Sequence, residues 1–168
     1  MPHTSHFQLA DDYLNHLDSV IGVITDPFIQ SRCTGFLAVS AVTVYELAIK
    51  TIFIEFAEGK HKVLGNFASA YFERLNGKIR IVTLKDEYIK KFGEKYVSRF
   101  EKILCRKEAE LLKTDRVSPS NCYRNIVTWR HDFVHEGTIP ANATYSEVRK
   151  SYSYGKHVIN CLAETMRR

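Results

Sequence analysis

At 168 residues and 19.4 kDa the chain is long enough to bury most of the surface its unfolded form exposes, so a single domain over residues 1–168 needs no disulfide or structural metal to hold it. With 45% hydrophobic and 26% charged residues, 8 Gly and 4 Pro, the composition excludes a disordered or low-complexity chain. Lys and Arg number 24 against 19 Asp and Glu, a formal charge of +5 that suits a polyanionic partner without requiring one.

The N-terminal stretch MPHTSHFQLADDYLNHLD has no basic segment followed by an apolar one, so no secretion signal is expected. From Gln8 to Thr25, Leu9, Tyr13, Leu17, Val20, Ile21 and Ile24 recur at helical steps and predict an amphipathic helix that Asp26-Pro27 stops. Phe28 to Phe56 predicts one long helix, with a kink near Gly35, apolar almost all round and therefore central to a bundle. Glu46 and Lys50 interrupt its apolar run, so a buried helix is expected rather than a membrane span.

Val63 to Leu75 predicts a third helix ended by Asn76-Gly77, and Lys78 to Leu84, KIRIVTL, predicts an extended connector because a lone strand has nothing to pair with. Asp86 to Lys113 carries Tyr88, Ile89, Phe92, Tyr96, Phe100, Ile103 and Leu104 at helical spacing. Its many cations, Lys91, Lys95 and Arg99 among them, suit either a solvated face with intrahelical charge pairs or an RNA-facing stripe.

Ser118 and Pro119 fit the N-cap and first position of a helix that runs past His135 and ends at Glu136-Gly137. Thr144-Tyr145-Ser146-Glu147 matches a capping box that opens a last helix to about Met166, with Val148, Tyr152, Val158, Ile159 and Leu162 as its buried face and Gly155 allowing close helix approach. The sum is an all-α bundle of five to six helices. The four cysteines, Cys33, Cys105, Cys122 and Cys161, form no C-x-x-C pair and suit reduced thiols in a cytoplasmic protein.

No Gly-rich phosphate loop, G-x-S-x-G or H-E-x-x-H occurs, so chemistry must come from Thr128 to Gly137, TWRHDFVHEG. His131 and His135 lie about 40° apart on a helix, half of a zinc site, but no third ligand has a supporting spacing and no metal is expected. Arg130 and His135 lie about 140° apart and diverge on one regular helix. Two copies of this helix end across a two-fold axis would bring two arginines and two histidines into one cleft. Such a cleft suits cleavage of RNA. An imidazole can take the proton of the ribose 2′-hydroxyl or return one to the leaving 5′-oxygen, while a guanidinium holds the scissile phosphate.

R-x4-H from Arg130 to His135, near the end of a late helix in a small all-α chain, resembles the signature of the HEPN superfamily. YRNIVTWRHDFVHEGTIP, ATYSEVRKSYSYGKHVINCLA and GFLAVSAVTVYELAIK together look like its stand-alone branch, RiboL-PSP-HEPN, found largely among prokaryotic conflict and defence proteins. The resemblance implies a four-helix HEPN core and a homodimeric, metal-independent endoribonuclease that leaves a 2′,3′-cyclic phosphate and a 5′-hydroxyl, without a cofactor. Arg130 and His135 would be its catalytic pair. In many members the first intervening position is Asn, whereas here it is His131; the tyrosine that follows the histidine by two residues in an antitoxin-modified variant is replaced by Gly137.

Several neighbours carry two readings. Glu46 either pairs with Lys50 one turn later or reaches the cleft to orient Arg130; Asp132 caps or pairs locally. Asn125 and Tyr123 either contact RNA or simply begin the helix, Trp129 and Phe133 are read as core or dimer-interface residues, and His157 as structural. The rival to the nuclease is a catalytically silent HEPN-like module that binds RNA, a nucleotide or a protein partner; a toxin held by an antitoxin or defence-system partner is the other.

Overall fold

The computed structural model describes residues 2–167, and every regular element among them is helical. The first helix, α1 (Pro2–Val20), closes in a 3₁₀ turn over Ile21–Val23. It begins six residues earlier than the periodicity predicts. Its buried stripe is Phe7, Ala10, Leu14 and Leu17, whereas Leu9 and Tyr13 face solvent, because the neighbouring helices select the register that buries Phe7.

Asp26 does more than stop α1: its carboxylate accepts from the Phe28 N–H at 2.8 Å and caps α2 (Pro27–Glu58), whose first residue is Pro27. By length and composition α2 is apolar enough to cross a membrane, yet 56% of that stretch is buried inside the bundle. It runs unbroken through Gly35, where any side chain would run into the ring of Phe133; that glycine is a contact point between two helices. α2 packs against α1, against α3 (Lys62–Phe72), and against α6 (Pro119–Glu136) and α7 (Tyr145–Thr165).

Three fully buried tyrosines bind the centre. Tyr45 of α2 stacks on Tyr123 of α6 at 5.3 Å and on Tyr152 of α7 at 5.8 Å. A buried hydroxyl needs a partner: Tyr45 donates to the Tyr152 carbonyl and Tyr123 to the Ile79 carbonyl, both at 2.6 Å. The second bond ties the loop after α3 to α6. Gly155 of α7 lies so close to Tyr45 that even a methyl group would strike its hydroxyl, the close approach expected there.

The caps of α6 and α7 are those the residues predict. Ser118 Oγ accepts from the Asn121 N–H at 3.1 Å, Thr144 Oγ1 from the Glu147 N–H at 3.2 Å, and Gly137 ends α6 in the left-handed region at φ 70°. Val148, Tyr152, Val158, Ile159 and Leu162 are all buried.

The middle of the chain differs from expectation. α3 ends at Phe72, and the loop that follows turns at Gly77, φ 72°. The connector is extended only to Arg80. Helix resumes in α4 (Ile81–Thr83), followed by a π turn over Leu84–Tyr88 and a 3₁₀ turn over Ile89–Phe92. Gly93, φ 119°, then breaks what the spacing predicts as one helix, and α5 (Glu94–Thr114) starts afresh. The irregular turns let Tyr88 and Phe92 reach Phe53 and Phe72 in one aromatic cluster.

Among the described residues there are seven helices, of which α2, α6 and α7 form the centre, with α5 packed on α7 to complete a four-helix core. The cations of the α5 region fit the solvated-face reading in good part: Lys90 pairs with Glu94 at 3.1 Å, Lys85 with Glu101 at 3.3 Å and Lys107 with Glu110 at 2.7 Å.

Candidate functional site

α6 carries the cluster on its last two turns. The imidazoles of His131 and His135 are exposed and lie with ring centroids 4.4 Å apart, as their four-residue spacing dictates. Arg130, half-buried, points around the helix toward the loop after α3, where its guanidinium adjoins Gly77. The Gly77 turn therefore forms one wall of the site. A side chain there would be strained by φ 72° and would crowd Arg130.

Glu46 settles between its two readings in an unexpected way. Its Oε1 accepts from the Gly77 N–H at 2.7 Å, while Lys50 donates to the Glu73 carbonyl at 3.1 Å. The carboxylate thus holds the turn that flanks Arg130. Burial pushes the Glu46 carboxyl above its ordinary range; the Gly77 N–H and then the charges of Arg130 and Lys50 oppose that shift without cancelling it. A carboxyl raised on folding stabilises the fold fully only below the ordinary carboxylate pKa, and that contribution is lost as pH rises through its folded value. Glu46→Gln, which keeps the acceptor and removes the charge, is therefore expected to raise the Tm near neutral pH, the gain vanishing toward about pH 4. Thermal unfolding across pH reads this directly. A lower Tm at neutral pH would mean that attraction to Arg130 outweighs burial.

The helix end has a second cation that the sequence does not single out. Arg32 of α2 donates from Nη1 to the Gly137 carbonyl at 2.7 Å, with its guanidinium over the rings of Phe28 and Phe133. Its placement matters electrostatically. The C-terminal end of a helix carries partial negative charge and repels anions, and Arg32 meets that charge at its source. With Arg130 it makes this end tolerant of a phosphate.

The remaining candidates fall elsewhere. Asp132 is half-buried and, contrary to expectation, has no cap or ion pair among the described residues. Asn125 is exposed on another side of α6, and Tyr123 is core, so it is not an RNA contact. Trp129 and Phe133 are buried, Phe133 edge-on to Phe36 at 5.4 Å. His157 is half-buried and its imidazole is held below its usual pKa by burial. Lys91 and Lys95 do not join the site. They line a groove with Phe56, Lys60 and Phe67, where Lys91 lies over Tyr71, while Arg99 donates to the Arg167 carbonyl at 3.3 Å. Phe56 follows Glu46 by ten residues, about 15 Å along α2, which separates that groove from Arg130.

Among the described residues no third His, Cys, Asp or Glu joins His131 and His135 closely enough to complete a metal site. What this end of α6 offers is two exposed imidazoles on its solvent-facing side and, about 140° around the helix from His135, a half-buried guanidinium beside the Gly77 turn. The family model for RiboL-PSP-HEPN matches residues 5–167. The chain belongs to the RiboL-PSP-HEPN family. No curated protein and no solved structure matches it. In this HEPN protein the match spans α1 to α7, the irregular middle included. Membership associates it with a family in which nuclease-like proteins are common.

Proposed function

We propose that this HEPN protein is an endoribonuclease, with Arg130 and His135 as its catalytic pair. The observation that carries the reading is that the last two turns of α6 bear a half-buried guanidinium beside the Gly77 turn and, on another face, two exposed imidazoles. A neutral imidazole removes the proton of a ribose 2′-hydroxyl. That oxygen attacks the adjoining phosphorus, the bond to the 5′-oxygen breaks, and an imidazolium returns a proton to the leaving oxygen. The products are a 2′,3′-cyclic phosphate and a 5′-hydroxyl. Arg130 binds the non-bridging oxygens as their charge grows. Because the nucleophile belongs to the substrate, no metal-bound water is required.

The working unit is a homodimer. Arg130 and His135 diverge on their own helix, and a second copy brings complementary groups to the same phosphate. Val134, 49% exposed and next to His135 in the chain, and Phe36, 55% exposed and edge-on to Phe133, supply apolar surface for such a contact. The four free thiols suit the cytoplasm, and a prokaryotic defence or toxin–antitoxin role, with a partner protein restraining the enzyme, follows the resemblance.

The test is cleavage of single-stranded RNA by purified protein in EDTA, with end-group analysis and the oligomeric state measured in parallel. Cleavage in EDTA with cyclic-phosphate ends is the expected result; strict dependence on a divalent cation, or a stable monomer, overturns the mechanism. A second reading, a silent module that binds RNA, a nucleotide or a protein, is favoured by one observation: no described residue hydrogen-bonds either imidazole to orient it. RNA binding with no cleavage at any pH would select it.

A further inference from the structure

Beside the Arg130 wall a cavity of about 530 Å³ opens between α6 and the chain from Arg80 to Val82. It is large enough for a nucleotide, since small-molecule sites run from roughly 300 to 1,000 Å³. Its shelf is apolar: Ile81, Val127 and Val82, the last 66% exposed. Two arginines face it. Arg80 makes no ion pair with a described residue, and the one hydrogen bond of Arg124 goes to the neutral Asn121 Oδ1 at 3.2 Å. Neither arginine pairs with a carboxylate among the described residues, and Glu108, which accepts from the Oγ of the lining Ser120 at 2.7 Å, sets one negative charge against two positive ones, so the cavity keeps a field that an anion would satisfy.

The cavity is continuous with the candidate cutting centre in two ways. Arg80 stands three residues beyond Gly77, which adjoins Arg130, and Ile79 between them is tied to Tyr123. On α6 the exposed residues Arg124, Thr128, His131 and His135 are spaced by four, three and four, so they fall within about 60° of one another on a single stripe. That stripe runs from the cavity to the imidazoles over about 16 Å of helix axis, a span for more than one nucleotide.

We propose that this cavity is a nucleotide subsite for single-stranded RNA: a base lies on the shelf of Val82 and Val127, Arg80 and Arg124 hold the adjoining phosphate, and Thr128 offers its hydroxyl along the path to His135. Its role beside the scissile phosphate rests on the reading of Arg130 and His135 given above; its binding does not. An apolar shelf distinguishes it from a bare cationic patch, because a flat base buries there while the forked guanidiniums grip the backbone.

The test uses the full-length chain carrying His135→Ala, a labelled single-stranded oligoribonucleotide, and anisotropy from about 50 to about 300 mM salt. Adding Arg80→Ala and Arg124→Ala is expected to weaken binding about tenfold or more and to flatten the salt dependence by roughly 0.7 for each phosphate no longer neutralised. Lys113→Ala, an exposed cation outside the cavity lining, is the charge-matched control for each arginine change made singly. Val82→Glu is expected to weaken binding of the oligoribonucleotide but not of an abasic ribose-phosphate chain beyond the effect of its charge. With His135 restored, the arginine changes are expected to raise KM and leave kcat within about twofold. Effects no greater than for Lys113→Ala, or no RNA binding at all, overturn the subsite. Arginine-dependent binding without cleavage by wild type would leave the subsite standing and remove the nuclease; cleavage whose KM ignores both arginines would do the reverse.

Discussion

His135→Ala is expected to lower kcat for RNA cleavage by about 10²–10⁴-fold, the range that a positioned proton-transfer group contributes. Arg130→Ala is expected to cost a similar 10²–10³-fold, as removal of a donor to developing oxyanion charge does. Arg130→Lys should recover little, because a single ammonium cannot reproduce the fork that grips two phosphate oxygens. His131→Ala removes the ring beside His135 and loosens its placement; a loss of ten- to about a hundredfold is expected, smaller than for His135 itself. Single-turnover kinetics on one RNA, with thermal unfolding as control, separates these. His135 is exposed, so its replacement should leave the Tm within experimental scatter, and a change that unfolds the protein cannot masquerade as chemistry. Wild-type rates in His135→Ala would remove the imidazole from the mechanism altogether.

Gly155→Ala is expected to destabilise the fold strongly for a single-methyl change. The added carbon would strike the hydroxyl of Tyr45 and press on the backbone of Tyr123 at 3.3 Å, and Tyr45 is fully buried with its hydroxyl bonded to Tyr152. Overpacking of this kind costs about 1–3 kcal/mol. At about 2–4 °C per kcal/mol for a chain of this size, the Tm should fall by roughly 2–12 °C. Gly22→Ala is the control, since nothing lies within 4 Å of the new methyl group, and its effect should stay within about 0.5 kcal/mol. Equal Tm changes for the two variants would show that the tyrosine stack yields easily. Gly35→Ala tests the same principle nearer the site: its methyl group would press on Phe133, two residues before His135, so activity and stability should fall together.

The parts of this protein that local chemistry governs were legible from the residues. Ser118, Thr144 and Gly137 act within three or four residues of themselves, so their side chains or their glycine conformation declare the ends of α6 and α7 directly. The buried face of α7 repeats at helical spacing and its partners only had to accept it. Arg130, His131 and His135 stand within six residues on one helix, which is why the candidate chemistry could be read as a motif.

What lay hidden depends on distance along the chain. Arg32 and Gly137 are 105 residues apart, and nothing in an apolar stretch with one arginine says which carbonyl it will find. The register of α1 followed from the neighbours that cover Phe7, against an equally periodic alternative through Leu9 and Tyr13. The break at Gly93 arose because the aromatic cluster rewards Phe92 and Tyr88 for leaving regular helix, a trade that periodicity alone cannot register. The caps of α6 and α7, the buried face of α7 and the three candidate side chains on α6 were thus determined by the sequence itself, since hydrogen bonds and spacing within a few residues suffice for them. Only the tertiary structure decided that Glu46 would hold the Gly77 turn against Arg130 and that Arg80 would meet Arg124 across a cavity, because those meetings are set by how helices far apart in the chain share one core.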